Sequence, residues 1–231
     1  MENSHLAHSN VLIYGATGGI GRAIAKEAIA HEATPLLLGR DSAKLKDLAQ
    51  ELGLSDKFWC ATHELTEGNT RINSWLEQHA PITLAVHAAG RGVMKPLTKI
   101  TPKEWEEVIE VNLSSAYHFF NLLWPHKNEK LDMVFFGSAS THQAWAKNCL
   151  YGASKAGLAY FCKALQKEIQ PKGGRVWLYE LGAVDTPYFD NISNHIPKEK
   201  MICPKELAKW VLSNLNLSPG LFSPNLSLLS D

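Results

Sequence analysis

A tyrosine, Tyr151, and a lysine, Lys155, open a segment whose apolar residues continue as Leu158, Cys162, Leu165 and Ile169. At about 100° per residue, both polar side chains fall on that same inward stripe of a helix. A lysine is out of place there. Burying an ammonium beside a phenol costs free energy unless the two interact, and the positive charge favours phenolate, lowering the phenol from its ordinary value near ~10. A tyrosine so placed can trade a proton with a substrate oxygen near neutral pH. Taken alone, the same pair also fits a first-turn tyrosine with a lysine reaching out to solvent.

Two further polar residues narrow the choice. Ser138 follows the run LDMVFFG, 131–137, so its hydroxyl sits at a strand end facing the start of the Tyr151 helix. Asn112 lies mid-helix in the stripe Trp105, Val108, Ile109, Ala116, Phe119 and Leu123. A buried amide needs partners, and by itself this one reads as a helix-bending residue that caps neighbouring backbone. Two polar residues on two inward faces, with a strand-end serine between them, point to an acid–base centre.

A glycine-rich loop supplies a second kind of chemistry. The run NVLIY leads into GATGGIGRAIAKEA, with Gly15, Gly18, Gly19 and Gly21 ahead of a helix. Such glycines permit a tight turn and let backbone N–H groups approach a pyrophosphate, while the helix N-terminus supplies partial positive charge. Gly15, Gly19 and Gly21 read as GxxxGxG, and Gly15, Gly18 and Gly21 read as GxxGxxG. Neither is the commoner GxGxxG. A plain βα turn would need fewer glycines.

The elements that must hold these residues alternate strand with helix. Short aliphatic runs at 10–14, 34–39, 57–60, 82–88, 131–137 and 174–180 predict strands. Segments of helical period near 19–31, 41–52, 68–79, 102–125, 150–170 and 204–215 predict helices. That alternation predicts an α/β fold, a single-domain doubly wound parallel sheet over residues 1–231 with helices on both faces. A seventh strand within 225–230 is weakly signalled. Ligands bind such sheets outside the carboxyl ends of the strands, where strand order reverses, and each motif above falls there.

Composition excludes several classes. Among 231 residues, 45% are hydrophobic and 20% charged, which suits a globular core and surface. With 23 basic and 23 acidic residues spread along the chain, no footprint for nucleic acid or an anionic membrane stands out. No stretch reaches the roughly 18 apolar residues of a membrane span, and the N-terminus lacks a signal-peptide pattern, so a cytoplasmic location is expected. Cys60, Cys149, Cys162 and Cys203 show no metal-ligand spacing and read as reduced, mostly buried thiols; neither a disulfide nor a metal is expected.

In order and spacing, the glycine loop, Asn112, Ser138, Tyr151 and Lys155 resemble the short-chain dehydrogenase/reductase family over roughly residues 10–215. The resemblance favours the GxxxGxG reading. It implies an NAD(P)-dependent oxidoreductase with a Rossmann fold, in which hydride passes between nicotinamide and a carbonyl or secondary alcohol. Tyr151 would be the acid–base group and Ser138 would hold the substrate oxygen. Lys155 would depress the tyrosine and bond the nicotinamide ribose, and Asn112 would complete a water relay to Lys155. Cofactor contacts are implied at Gly15, Thr17, Gly18, Gly19, Ile20 and Gly21, at Glu64 and Leu65, at Ala89 and Gly90, and at Gly182, Val184 and Thr186, besides Tyr151 and Lys155.

Arg40 stands where NAD-preferring members usually carry an aspartate, and an arginine suits a 2′-phosphate, so NADP(H) is expected over NAD(H). The family's Asn-Asn-Ala-Gly here reads His87-Ala88-Ala89-Gly90, its Pro-Gly reads Leu181-Gly182, Glu64 replaces an aspartate, and Tyr14 replaces a threonine. Segment 184–204, with Pro187, Pro197 and Pro204, resembles the family's mobile substrate loop. Arg91, Met94, Ser140 through Trp145, and Tyr188 to Met201 are the substrate-side candidates, with Trp145, Tyr188 and Phe189 fitting a partly apolar ketone or alcohol. The resemblance also implies a homodimer or homotetramer, with Tyr117, Phe120 and Trp124 as surplus aromatic surface. A non-catalytic dinucleotide sensor or scaffold is the alternative reading. A sugar-nucleotide epimerase of the related extended branch would need more chain than remains after residue 215.

Overall fold

In a computed structural model that describes residues 6–60, 65, 70–188 and 196–215 and the backbone of 225–228, seven strands form one parallel sheet. They are β1 (Asn10–Tyr14), β2 (Thr34–Gly39), β3 (Phe58–Cys60), β4 (Ile82–His87), β5 (Lys127–Phe136), β6 (Gly174–Leu181) and β7 (Asn225–Leu228), in the order β3-β2-β1-β4-β5-β6-β7. The chain runs outward from β1 through β2 to β3, then returns so that β4 pairs with the free edge of β1. A crevice must open above β1 and β4 at that reversal.

Helices cover both faces, as they must for a parallel sheet buried on each side. They are α1 (Gly19–Ala30), α2 (Ser42–Glu51), α3 (Thr70–Glu77), α4 (Pro102–Ile109), α5 (Ser115–Leu123), α6 (Cys149–Ile169) and α7 (Pro204–Asn214). The strand period of two sorts the core into layers. Val11 and Ile13 join Ile24, Leu45 and Val211 from α1, α2 and α7, whereas Leu12 joins Ile72, Phe119 and Leu158 from α3, α5 and α6. Burying each such side chain contributes roughly 1.5–3 kcal/mol.

The predicted helix 102–125 is not one helix. It starts on a Thr101–Glu104 capping box with Pro102 in the first turn, then widens into a π-helical turn over Glu110–Ser114 before α5. Trp105, assigned to its inward stripe, is 43% exposed, so the buried stripe begins at Val108. Phe120 and Trp124 are accounted for within the chain: they contact each other at 5.2 Å and pack on the second core layer, leaving Tyr117 exposed. The expectation of mostly buried thiols fails for Cys149 and Cys203, which are exposed, although all four cysteines are free. Their positions explain it: one opens α6 and the other precedes α7.

β5 begins at Lys127, ahead of the predicted residue 131. Farther along it, the buried Asp132 ties three elements together. It accepts from Arg175 at 2.6 and 2.7 Å and from the indole N–H of Trp177 at 2.7 Å, while Arg175 also donates to the Leu215 carbonyl at 2.9 Å. Removing one partner of such a pair strands the other charge. Asp132→Ala should therefore lower unfolding stability by about 3–5 kcal/mol, measured by urea titration, while Lys209→Ala at the exposed Glu206 pair changes it by less than about 0.5 kcal/mol.

Candidate active site

The crevice contains a cleft of about 780 Å³ at the carboxyl ends of the central strands, lined by Ser138, Tyr151 and Lys155 among others. A smaller cleft of about 440 Å³ adjoins it along Thr17, Gly18 and Ala88 to Gly90 and reaches Arg40 and Lys44. Each strand end delivers part of this surface. Gly15 turns the chain after β1 with φ of +82°, and a Cβ there would lie 2.6 Å from the Ala89 nitrogen. A side chain at Gly21 would likewise run into the Gly15 carbonyl, so helix and loop close on one another only with glycine at both. Gly18 caps α1 with no side-chain bond, leaving the helix N-terminus to the cleft.

Tyr151 and Lys155 line the larger cleft from the first two turns of α6. Lys155 is 5% exposed, and its ammonium donates to the Phe136 carbonyl at 2.8 Å, with Nζ 5.9 Å from the centre of the Tyr151 ring. That bond holds the charge at the end of β5 and leaves its other N–H donors for the cleft. Ser138 donates to the Ser140 hydroxyl at 3.1 Å, and Ser140 accepts from Asn148 at 2.8 Å, so the serine turn is fastened to the residue that caps α6. From below, the buried Glu180 of β6 accepts from Thr141 at 2.5 Å and pairs with His142 at 2.7 Å.

Asn112 is fully buried, and its amide works as a clamp. Its Oδ1 accepts from the Arg91 backbone N–H at 2.8 Å, while Nδ2 donates to the Arg91 carbonyl and to the Ser154 hydroxyl, each at 2.9 Å. Ser154 donates onward to the Tyr151 carbonyl at 2.7 Å. Three of the amide's four bonds are thus structural, and a relay through this side chain has one Oδ1 lone pair left to use. That oxygen and the Lys155 ammonium converge beside Gly90, each 3.8 Å from where a Cβ would stand.

The π-turn is what brings Asn112 to that point. The Ser115 N–H reaches back to the Glu110 carbonyl, which frees the Val111 carbonyl, and the Ser115 hydroxyl then donates to Val111 at 2.8 Å. With its proton so used, the Ser115 oxygen accepts from His87 Nε2 at 2.7 Å, which fixes the histidine tautomer. His87 is 1% exposed and lies against Phe135, Phe119 and Tyr14. Burial first, and the Lys155 charge second, lower its pKa to about 3. The residue standing where the family has an asparagine still braces the sheet to the helix.

The other expected positions sort unevenly. Thr17, Gly18, Gly19, Ile20, Ala89, Gly90, Gly182, Val184 and Thr186 line the larger cleft, and Gly15 and Arg40 line the smaller. Leu65 is buried in the second core layer and lines neither cleft. Glu64 and Phe189 lie outside the described residues. Segment 184–204 is tied at both ends, with Val184 bridged to Ile202 and the Asp185 N–H donating to the Ile202 carbonyl at 3.0 Å. Ser154 and Glu180 carried no sequence signal of their own; Ser154 sits a single helical turn from Tyr151, and Glu180 reads as an ordinary strand-end residue.

The residues present fit a dinucleotide: a glycine cradle that side chains would fill, an uncapped helix N-terminus, and a crevice long enough to adjoin two cations. A family profile described as short chain dehydrogenase matches residues 9–197. An uncharacterized oxidoreductase of Staphylococcus epidermidis is 27% identical over 179 residues, 76% of this chain and 78% of that protein. A short chain dehydrogenase of Shigella flexneri complexed with NADP superposes with a TM-score of 0.86 at 22% identity, covering 98% of both chains. A 3-ketoacyl-(acyl-carrier-protein) reductase of Brucella melitensis complexed with NADH gives 0.85 at 23% identity, covering 97% of this chain and 98% of that one.

The buried histidine gives the site a pH signature. An unfolded chain binds the His87 proton below about 6.5, whereas the folded chain does so only near 3. Stability from this group is therefore complete above the unfolded value and is withdrawn as pH falls from about 6.5 towards about 3, by up to about 1.4 kcal/mol per pH unit. Urea unfolding from neutral pH down to about pH 5 should cost the wild type roughly 2 kcal/mol more than His87→Asn. Parallel curves would show that the histidine is not held neutral.

Proposed function

The chain belongs to the short chain dehydrogenase family, and on that premise we propose that it is an NADP(H)-dependent oxidoreductase acting on a carbonyl or secondary alcohol. The observation that carries this reading is the meeting of Tyr151, Lys155 and Ser138 on one cleft, with Asn112 clamping the helix that bears the first two. When bound, the nicotinamide supplies or accepts hydride at the substrate carbon. Tyr151 passes a proton to or from the substrate oxygen, and Ser138, released from Ser140, donates to that oxygen to orient it. Lys155 lends its positive charge to the Tyr151 oxygen and holds the ribose hydroxyls.

Arg40 and Lys44 support the preference for NADP(H), since both line the adenosine end of the crevice. The neighbouring carboxylate, Asp41, caps α2 by accepting from the Lys44 N–H at 3.1 Å and pairs with the Lys44 ammonium at 3.5 Å. Met94, Trp145, Tyr188 and Ile196 line the substrate half of the cleft, where Lys155 is the charged lining residue, which favours an uncharged and largely apolar substrate. Exposed free thiols at Cys149 and Cys203 fit a reducing cytoplasm. Tyr117 of α5 and Tyr160 of α6, both exposed, support pairing of those helices in a homo-oligomer.

Fluorescence titration with NADPH and NADH tests the cofactor assignment. Arg40→Ala should weaken NADPH binding about tenfold or more while sparing NADH; equal losses would contradict a 2′-phosphate contact. On a panel of neutral ketones, Tyr151→Phe should lower kcat by about 10²- to 10⁴-fold with nucleotide affinity retained. Failure of the wild type to bind either nucleotide would leave a scaffold in place of an enzyme.

A further inference from the structure

A second phenol stands at the reacting atom. Tyr188 follows Thr186 on the segment after β6, and its ring lies 6.3 Å from that of Tyr151, tilted by 49°. A side-chain hydrogen bond joins the two residues, and both line the cleft. Neither the family resemblance nor the proton path above gives Tyr188 a part in the chemistry.

Two hydroxyls in contact raise the question of which keeps its proton. Burial raises the Tyr188 pKa first, and the adjacent Tyr151, through charge and through the hydrogen bond, raises it further. Among the described residues, the other charged and titratable groups around the pair have positions or partners of their own. Lys155 of α6 lies over the Tyr151 ring, His87 of β4 is held neutral, His142 is paired with Glu180 behind the serine turn, and Arg91 is paired with Glu107. Tyr188 is therefore the partner that stays protonated, and the Tyr151 oxygen is the acceptor.

We propose that Tyr188 is a second catalytic hydroxyl, whose O–H donates to the Tyr151 oxygen and steadies it while that oxygen exchanges its proton with substrate. The role rests on the oxidoreductase reading above. In the reductive direction the substrate carbon gains hydride from the reduced nicotinamide and its oxygen gains the Tyr151 proton, giving the alcohol and the oxidised nucleotide. Tyr151 is left as a phenolate that accepts from Tyr188, with the Lys155 charge nearby, until solvent returns a proton. In the oxidative direction the same bond favours the phenolate that must accept the alcohol proton.

Tyr188→Phe keeps the ring and removes only the donor. For alcohol oxidation the acid limb of kcat/KM should move to higher pH by about one unit, and NADP(H) affinity, which also reports folding, should not change. An unmoved limb with the loss confined to KM would make Tyr188 a wall of the substrate pocket and overturn the proposal. A measurement free of substrate separates this from failure of the enzyme reading. In ultraviolet tyrosinate titration, the component missing from Tyr151→Phe should appear at higher pH in Tyr188→Phe than in the wild type. If no substrate is turned over, the oxidoreductase assignment fails while the titration still decides the pair; an unshifted component would refute the hydrogen-bond role.

Discussion

The site depends on one buried amide. Asn112 holds the backbone of Arg91 from both sides and reaches Ser154, which holds the carbonyl of Tyr151. Through these bonds it sets the spacing between the loop after β4, which forms a wall of the crevice, and α6, which carries Tyr151 and Lys155. An amide is suited to this because it donates and accepts at once in a fixed plane, so it fixes direction as well as distance. The bond between Asn112 and Ser154 is shielded from water, where leaving it unmade costs the desolvation of its partner.

That clamp has its own support. A regular helix through residues 102–123 would give the Val111 carbonyl to the Ser115 N–H; the π-turn gives it to the Ser115 hydroxyl instead and so links helix to His87 and the sheet. π-turns are frequent at functional sites, and here the extra residue re-aims an amide. Other polar groups at the strand ends follow the same logic. Lys155 is fastened to Phe136, and Glu180 to the turn after Ser138, so these two buried charges are offset locally. These bonds tie parts of the cleft wall to one another.

Much of this was legible from residues alone, and the reasons are physical. Parallel strands buried on both faces leave continuous aliphatic runs such as LLL at 36–38, and a helix that buries Lys155 leaves a charge inside an apolar stripe. What stayed hidden involves phase and three-dimensional partnership. A π-turn inserts one residue into a helical period, and nothing at Glu110–Ser114 marks it except the misplaced Asn112. The stripe drawn through Trp105 ran one turn too far because that residue stands on the exposed first turn of α4. His87 reads as the loss of an asparagine until Ser115 is seen beside it, and Glu180 gains its meaning from residues on another segment. Phe120 and Trp124 count as surplus surface only until the second core layer is built.

If Asn112 sets the register of the site, its bond to Ser154 must carry energy that neither residue supplies alone. A double-mutant cycle of Asn112→Ala and Ser154→Ala, read as unfolding free energy in urea, measures that term directly. The two losses should fall short of additivity by about 1–3 kcal/mol, because either substitution already breaks the link to Tyr151. Additive losses would mean that the amide and the helix bearing Tyr151 and Lys155 are held independently, and the clamp would be an accident of packing.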